Sequence, residues 1–280
     1  MKQGSAITAA AGVGLLDELT TIVSRAAAEV LAARRGALEV RTKADLSPVT
    51  AADLASEALI LEGLSRLMPR VAVVSEEAAG QAPPKLDEAS FVLVDPLDGT
   101  RELVAGRDEF TINLALVTGG RPSLGIIAAP ALGLIWRTAA QGGAERLRLP
   151  PGAPASAASE RVPIRPRALA ERGLAALVSR SHLDPQTEAF LARLPGVQRL
   201  ASGSAIKFCR VAEGAADLYP RLAPTYEWDV AAGDAILTAA GGAVTAPDGP
   251  PLAFGRSSED FRIPGFIAWG DPSAARRLGR

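Results

Sequence analysis

Two aspartates three positions apart are the residues of this chain best suited to chemistry. Asp95 and Asp98 follow residues 91–94, whose β-favouring side chains predict a strand. Two carboxylates this close to an apolar strand end repel each other unless a cation lies between them. Because they offer only oxygen ligands, the pair indicates Mg²⁺ or a similar hard ion and argues against zinc.

The next two residues suit a phosphate group. Gly99 lets the backbone pass close to a bound group. Thr100 supplies a hydroxyl and an N–H where a helix could begin, and helix starts bind anions. Together with the two aspartates, this turn predicts metal-assisted phosphoryl chemistry.

Three further acidic residues each have an ordinary structural explanation when taken alone. Glu76 follows a second apolar run, and the Glu76-Glu77 pair taken alone is better explained as part of a solvated loop. Asp53 falls in the first turn of a helix capped by Thr50, where any carboxylate is favourable. Asp229 fits a simple N-cap. If the two strands that end in acids are neighbours in one sheet, however, their carboxylates converge at one edge.

The second half of the chain supplies candidate cations. Arg180 follows a predicted strand and suits either phosphate binding or a surface loop. Ser204 is predicted to cap a helix with Lys207 in its first turn, which can hold an anion or leave Lys207 solvated. The single histidine, His182, and the single cysteine, Cys209, are not expected to act in the chemistry.

Hydrophobic periodicity predicts the elements that must position these residues. Helices are expected over residues 14–35 and from Thr50 onwards, and the short strands joined by tight turns indicate an antiparallel or mixed sheet. A stretch rich in Pro, Ala and Ser, residues 149–168, is the best candidate for a boundary. We therefore expect two α/β halves, residues 1–150 with most of the metal ligands and residues 151–280 with Asp229 and substrate specificity.

Composition narrows the class of protein. The chain has 280 residues and a formal net charge of −1, so a nucleic-acid duplex is not expected as a partner. One cysteine excludes a disulfide framework, which fits a cytoplasmic location. Residues 6–16 loosely imitate a signal peptide, but Asp17 and Glu18 follow at once. No apolar run approaches the ~18 residues that would span a bilayer.

Three motifs together resemble the magnesium-dependent, lithium-sensitive phosphomonoesterases that include inositol monophosphatase and fructose bisphosphatase. They are residues 75–77, 95–100 and 228–233. The resemblance covers nearly the whole chain and implies a layered α/β fold, an αβαβα sandwich of two closely joined halves with the site between them.

A finer resemblance points to one branch of that superfamily. Residues 43–53, 98–102, 179–182, 203–209 and 216–221 look like the bacterial 3'(2'),5'-bisphosphate nucleotidases of the CysQ type. Those proteins commonly carry Lys where this chain has Arg101. The resemblance implies hydrolysis of 3'-phosphoadenosine 5'-phosphate (PAP) to AMP and phosphate, which clears a by-product of sulfate assimilation.

The resemblance also implies roles for individual residues. One Mg²⁺ is expected at Glu76, Asp95 and the Leu97 carbonyl, and a second at Asp95, Asp98 and Asp229. A weaker third ion is expected near Glu76, with Asp53 reaching it through water. Asp53, Asp98 and Thr100 are the expected catalytic residues. The expected substrate contacts are Glu76, Leu97, Asp98, Gly99, Thr100, Arg180, Ser204, Lys207, Glu227 and Asp229.

Two alternatives remain open at this point. An inositol-phosphate or sugar-phosphate phosphatase would share the metal motifs, since specificity rests on the second half. A catalytically inactive protein that binds phosphorylated metabolites would show a broken set of acids, whereas all four proposed acidic ligands are present here. The expected partner is a small phosphorylated nucleotide. The sequence is compatible with a monomer and with a homodimer. It is also compatible with peripheral association with the inner membrane.

Overall fold

The computed structural model describes residues 13–36, 40–42, 48–79, 90–169, 173–180, 183–255 and 261–278. The expectations for the chain before residue 13, for residues 43–47 and for His182 lie outside these ranges. Within them the helices are α1 (Val13–Arg35), α2 (Ala51–Leu67), α3 (Thr100–Val104), α4 (Pro185–Ala192), α5 (Ile206–Ala212), α6 (Glu227–Ala240) and α7 (Pro272–Leu278). No helix in these ranges combines the length and apolarity needed to cross a membrane.

The helices predicted in the first half are confirmed. The helix α1 ends one residue before Gly36, as expected. The helix α2 begins after Thr50, whose side-chain oxygen accepts the Ala52 N–H at 3.2 Å. In return the Asp53 carboxylate accepts the Thr50 N–H at 2.8 Å. This reciprocal capping fixes the start of the helix and the position of Asp53.

A seven-stranded sheet forms the larger part of the first half. Its strands lie in sequence order, and only the first pair is parallel. They are β3 (Ala72–Ser75), β4 (Ser90–Asp98), β5 (Thr111–Thr118), β6 (Arg121–Ala129), β7 (Leu134–Thr138), β8 (Ala144–Arg148) and β9 (Glu160–Ile164). The sheet therefore continues past residue 150 to Ile164. The mixed sheet expected from the sequence is confirmed.

The second half contains a five-stranded mixed sheet made of β10 (Ala175–Ser179), β11 (Gln198–Ser202), β12 (Leu218–Arg221), β14 (Ala243–Thr245) and β16 (Phe266–Trp269). Across the sheet, these strands lie in the order β11-β10-β12-β16-β14. Four short strands form two antiparallel pairs: β1 (Val40–Thr42) pairs with β2 (Pro48–Thr50), and β13 (Thr225–Tyr226) pairs with β15 (Arg262–Ile263).

Three hydrophobic cores stack these elements into five layers. The first core joins α1 and α2 to one face of the larger sheet. The second packs the other face of that sheet against α5 and α6, which in turn contact the smaller sheet through Tyr219 and Phe266. The third lies between the far face of the smaller sheet and α4 and α7. The predicted αβαβα arrangement is confirmed.

The middle layer depends on one glycine of α6. A Cβ atom at Gly233 would lie 2.3 Å from the Phe208 ring. That ring is held by Tyr219 and Phe266, each with its ring centroid 5.1 Å away. Phe208 therefore has little freedom to yield, and the close approach of α5 to α6 requires glycine.

We expect Gly233→Ala to lower the free energy of unfolding by about 1–3 kcal/mol, because the added methyl overpacks this contact. Urea denaturation measures the change. Gly14→Ala in α1 is the matched control, since a Cβ there meets no atom within 4 Å and alanine favours helix. Equal stability of the two variants would contradict this account of the layer.

Candidate active site

A bulge in β4 brings the two central aspartates to the same face of the sheet. In a regular strand, residues three apart point to opposite faces. Asp95 pairs with Asn113 and Asp98 pairs with Thr111, so three steps along β4 match two along β5. The extra residue reverses the alternation. Accordingly Leu97 enters the same core as Val94, while Asp95 and Asp98 both line the pocket between the two halves.

Hydrogen bonds from both sides hold the bulge. The buried Ser56 hydroxyl of α2 donates to the Pro96 carbonyl at 2.7 Å. The Leu97 N–H donates to Asp95 Oδ1 at 3.0 Å. Pro96 itself has no N–H to leave unpaired where the ladder is interrupted. These contacts lower the free-energy cost of the bulge.

The neighbouring strand β3 delivers a third carboxylate. It runs parallel to β4, with Ser75 opposite Val94. The Glu76 N–H then donates to the Val94 carbonyl at 3.1 Å, which places Glu76 beside Asp95. The expectation that two acid-ended strands lie next to each other is met.

The helix α6 contributes the fourth carboxylate from the other half. Asp229 is the third residue of this helix and not its N-cap. Its Oδ2 atom accepts the Tyr226 N–H at 3.3 Å and the Thr225 hydroxyl. Since the side chain is still 21% exposed, it reaches the pocket while being held at the helix start.

Asp53 lies behind the pocket wall and reaches it through Thr100. Asp53 Oδ2 accepts both the N–H and the hydroxyl of Thr50, at 2.8 and 2.6 Å. Its other oxygen, Oδ1, accepts the Thr100 hydroxyl at 3.0 Å. The same hydroxyl lies 3.2 Å from the Leu97 carbonyl. Asp53 therefore orients Thr100 without lining the cavity itself.

Burial and neighbouring carboxylates raise the pKa of both aspartates of β4. Burial raises the pKa of Asp95 well above its usual range, and the charges of Glu76, Asp98 and Asp229 raise it further. Burial and then Asp229 raise the pKa of Asp98 to about 6, against the lowering effect of Lys207 and Arg221. The buried Asp95 Oδ2 has no hydrogen-bond partner within the described part of the chain.

These features fit a hard cation. The ligand atoms at hand are carboxylate and carbonyl oxygens, which Mg²⁺ prefers. An unpaired buried carboxylate oxygen among like charges is costly, and a cation would remove that cost. Within the described ranges, no three acidic, histidine or cysteine side chains already stand in the geometry of a metal site. The ligand set therefore remains a prediction.

The pocket is a cavity of about 290 Å³. Most of the residues predicted for the site line it, including both aspartates of β4 and the turn that follows. Those lining residues are Glu76, Asp95, Leu97, Asp98, Gly99, Thr100, Ser204, Lys207 and Asp229.

Two predicted substrate contacts lie elsewhere. The Arg180 guanidinium donates to Glu109 Oε2 through Nε at 3.0 Å and through a terminal nitrogen at 2.8 Å. The buried Glu227 carboxylate accepts the Gly255 N–H at 3.0 and 2.8 Å. Neither side chain is on the cavity wall.

The expected serine cap of α5 lies one residue before the N-cap position, although Ser204 Oγ still accepts the Ile206 N–H at 3.4 Å. The helix begins at Ile206, and its N-cap is Ala205. Ser204 has a φ of +47°, a left-handed conformation that is uncommon for residues other than glycine. The Lys207 ammonium donates to the Ser204 carbonyl at 2.5 Å and to the Ser202 carbonyl at 3.3 Å, which holds this turn. Burial lowers the pKa of Lys207 to about 8.

Sequence reasoning gave no role to Arg221, which the structure places in the pocket. Arg221 lines the cavity, and its terminal nitrogen lies 3.9 Å from Asp229 Oδ2. Its buried Nε has no hydrogen-bond partner among the described residues. Arg221 ends strand β12, so the rule that pointed to Glu76 and Asp95, polar residues at strand ends, would have found it as well.

Comparison with known proteins agrees with this geometry. Residues 11–264 match the model of the inositol monophosphatase family. The chain is 37% identical to the 3'(2'),5'-bisphosphate nucleotidase CysQ of Escherichia coli K12 over 254 residues, which cover 90% of this chain and 98% of that protein.

Solved structures show the same fold. The crystal structure of CysQ from Bacteroides thetaiotaomicron, a bacterial member of the inositol monophosphatase family, matches with a TM-score of 0.75 and 33% identity over 91% of this chain and 97% of that one. Inositol monophosphatase from Anabaena matches with a TM-score of 0.72 and 28% identity over 95% of this chain and 94% of that one.

The raised pKa of Asp98 predicts how stability depends on pH without metal. Because the folded-state pKa of about 6 exceeds the usual value, the folded state binds the Asp98 proton more tightly than the unfolded state does. Protonation of Asp98 therefore stabilises the folded state. This contribution is present below pH 4 and is lost as the pH rises through 6. In EDTA at pH 7.5, Asp98→Asn should therefore be more stable to urea than the unsubstituted protein, by about 1–3 kcal/mol.

The stability advantage of Asp98→Asn should disappear as the pH approaches 4. Surface-exposed Asp248→Asn provides the control, and its stability difference should stay near zero at both pH values. A destabilised Asp98→Asn protein at pH 7.5 without metal would contradict the assigned repulsion.

Proposed function

Because the chain belongs to the inositol monophosphatase family, we propose that it is a magnesium-dependent 3'(2'),5'-bisphosphate nucleotidase. The reaction is hydrolysis of the 3'-phosphate of PAP to AMP and phosphate, within sulfur assimilation. The observation that carries the proposal is a pocket where the four assigned carboxylates lie together with the cationic side chains of Lys207 and Arg221. The full-length similarity to CysQ proteins supports the choice of substrate.

Metal binding is assigned to the carboxylates. Glu76, Asp95 and the Leu97 carbonyl would hold one Mg²⁺, while Asp95, Asp98 and Asp229 would hold a second. A third ion near Glu76 is part of the proposal. When bound, magnesium supplies positive charge that lowers the pKa of a coordinated water and stabilises charge on transferring phosphoryl oxygens. The partnerless Asp95 oxygen is the structural support for this assignment.

The rate acceleration that the reaction requires favours metal assistance over acid–base chemistry alone. Phosphate-monoester hydrolysis can require accelerations up to ~10²¹-fold. One general base typically contributes ~10²–10⁴-fold. Carboxylates acting by themselves fall far short of that demand.

Thr100 and Asp53 position the attacking water. Because the Thr100 hydroxyl donates its hydrogen bond to Asp53 Oδ1, its oxygen lone pairs are left to accept a hydrogen bond from water on the cavity side. The N–H groups of Gly99 and Thr100, at the start of α3, are assigned to the phosphoryl oxygens. A water held by Asp229 is assigned to protonate the departing 3'-oxygen.

The cations of the pocket are assigned to the 5'-phosphate. Arg221 is suited to this role, because a guanidinium makes directed hydrogen bonds to phosphate and its Nε is unpaired in the described structure. Lys207 contributes charge, although its ammonium is already bonded to two carbonyls. Arg180 and Glu227 do not line the cavity, so this proposal gives them no direct contact with substrate.

The first test is phosphate release from PAP, inositol 1-phosphate and fructose 1,6-bisphosphate, each with and without Mg²⁺. We expect release that depends on Mg²⁺, is inhibited by Li⁺ and is fastest with PAP. Preference for inositol 1-phosphate or fructose 1,6-bisphosphate would contradict the substrate. Absence of release from all three would contradict the enzyme assignment and favour a binding protein.

The second test asks whether Arg221 binds the 5'-phosphate. Arg221→Ala should lower kcat/KM for PAP about 10- to 100-fold, mainly through KM, because a hydrogen bond to a charged group contributes about 1.5–3 kcal/mol. The matched substrate is 3'-AMP, which lacks the 5'-phosphate and should lose far less. An equal loss of kcat/KM with PAP and 3'-AMP would show that Arg221 does not bind the 5'-phosphate.

A further inference from the structure

Glu109, in the loop between α3 and β5, lies between the two walls of the pocket. One wall is the turn at residues 98–100, and the other is the segment 203–205 between β11 and α5. The Glu109 carbonyl packs against a glycine of each wall. A Cβ atom would lie 3.2 Å from this oxygen if placed on Gly99 and 2.6 Å if placed on Gly203. No residue other than glycine fits the second contact without movement of the backbone.

The Glu109 side chain adds polar contacts to this packing. Its Oε2 atom accepts the Gly203 N–H at 3.3 Å. The same oxygen accepts the two Arg180 bonds described above, at 3.0 and 2.8 Å. Arg180 also donates to the Ala201 carbonyl at 3.1 Å. One carboxylate therefore connects the first half of the chain to the segment that forms the opposite wall.

That segment touches a proposed metal ligand. Two residues after Gly203, the Ala205 backbone N–H lies close enough to the Asp98 carboxylate to lower its pKa, and both residues line the pocket. Lys207 holds the carbonyls on either side of Gly203. A shift of Gly203 would therefore move the N–H that faces Asp98.

We propose that Glu109 is a positioning residue for the metal site. By holding Gly203, it keeps the Ala205 N–H against Asp98 and so fixes the orientation of the Asp98 carboxylate. Arg180 holds Glu109 in place. This inference rests on the proposed function, since it concerns the ligands assigned to Mg²⁺.

The energies of these contacts separate a positioning role from a structural one. The side chains of Arg180 and Glu109 are 37% and 29% exposed, and an ion pair of this kind contributes at most about 1 kcal/mol to stability. Loss of Glu109 should therefore leave the fold intact. Groups that orient metal ligands have larger effects on the site, about 10- to 100-fold in metal affinity or activity.

The test compares Glu109→Ala with Glu109→Gln and with Asp108→Ala. Asp108 is the matched control, because this neighbouring carboxylate pairs with Arg34 of α1 at 2.7 Å and does not line the pocket. Two quantities are measured on each full-length protein: the affinity for Mn²⁺ by electron paramagnetic resonance, and kcat and KM for PAP at saturating Mg²⁺.

Glu109→Ala should lower Mn²⁺ affinity and kcat about tenfold, with a smaller change in KM. Glu109→Gln should recover most of both, because its amide oxygen still accepts the Gly203 N–H. Asp108→Ala should stay within twofold. The proposal would be overturned if Glu109→Ala left Mn²⁺ affinity and kcat unchanged. It would also be overturned if Glu109→Gln recovered neither quantity, or if Asp108→Ala lost as much as Glu109→Ala.

The Mn²⁺ measurement separates this inference from the proposed function. A wild-type protein that binds Mn²⁺ and does not hydrolyse PAP would count against the nucleotidase assignment alone. The comparison of Mn²⁺ affinities would still decide the role of Glu109.

Discussion

Repulsion among carboxylates is the constraint on which the active-site region depends. Asp95 is buried beside Asp98, Glu76 and Asp229, and each of these charges raises its pKa. Without a counter-ion, such a group favours the protonated form, and one of its oxygens has no hydrogen-bond partner among the residues that the structure describes. The bulge in β4 causes this clustering of carboxylates. In a regular strand, one of the two aspartates would point into the core on the opposite face.

The rest of the fold supplies the acids and holds the walls that carry them. The parallel pairing of β3 with β4 brings Glu76, and the helix α6 brings Asp229 from the other half. Close contacts at Gly125, where a Cβ would meet the Ala232 carbonyl at 2.4 Å, and at Gly233 set the depth of that helix between the sheets. The packing of the middle layer is thus linked to the distance between Asp229 and the aspartates of β4.

Several features were accessible to sequence reasoning because they depend on local rules. The capping box of Thr50 with Asp53, the end of α1 near Gly36 and the strand that carries Asp95 follow from residue type and periodicity. The strands β8 and β9 did not, because charged and exposed side chains on these outer strands obscure the apolar alternation. The bulge also escaped, since register is defined only by the partner strand.

The second half was harder to predict, because long-range contacts override local preferences there. Ser204 is a good capping residue, yet Lys207 and the packing of Gly203 hold it in a left-handed conformation outside the helix. Arg180 and Arg221 both lie at or next to strand ends and are indistinguishable by position. Only the fold shows that Glu109 binds the first and that the second faces the cavity.

The central claim is that the four carboxylates assemble a metal centre that acts on a phosphomonoester. The most direct measurement is a crystal structure of the protein grown with Mn²⁺, with metal positions taken from anomalous scattering. The account predicts two ions that share Asp95, with Glu76 on one side and Asp98 and Asp229 on the other. Anomalous peaks that avoid Asp95, or a fully occupied single ion bound without Asp98 and Asp229, would contradict it.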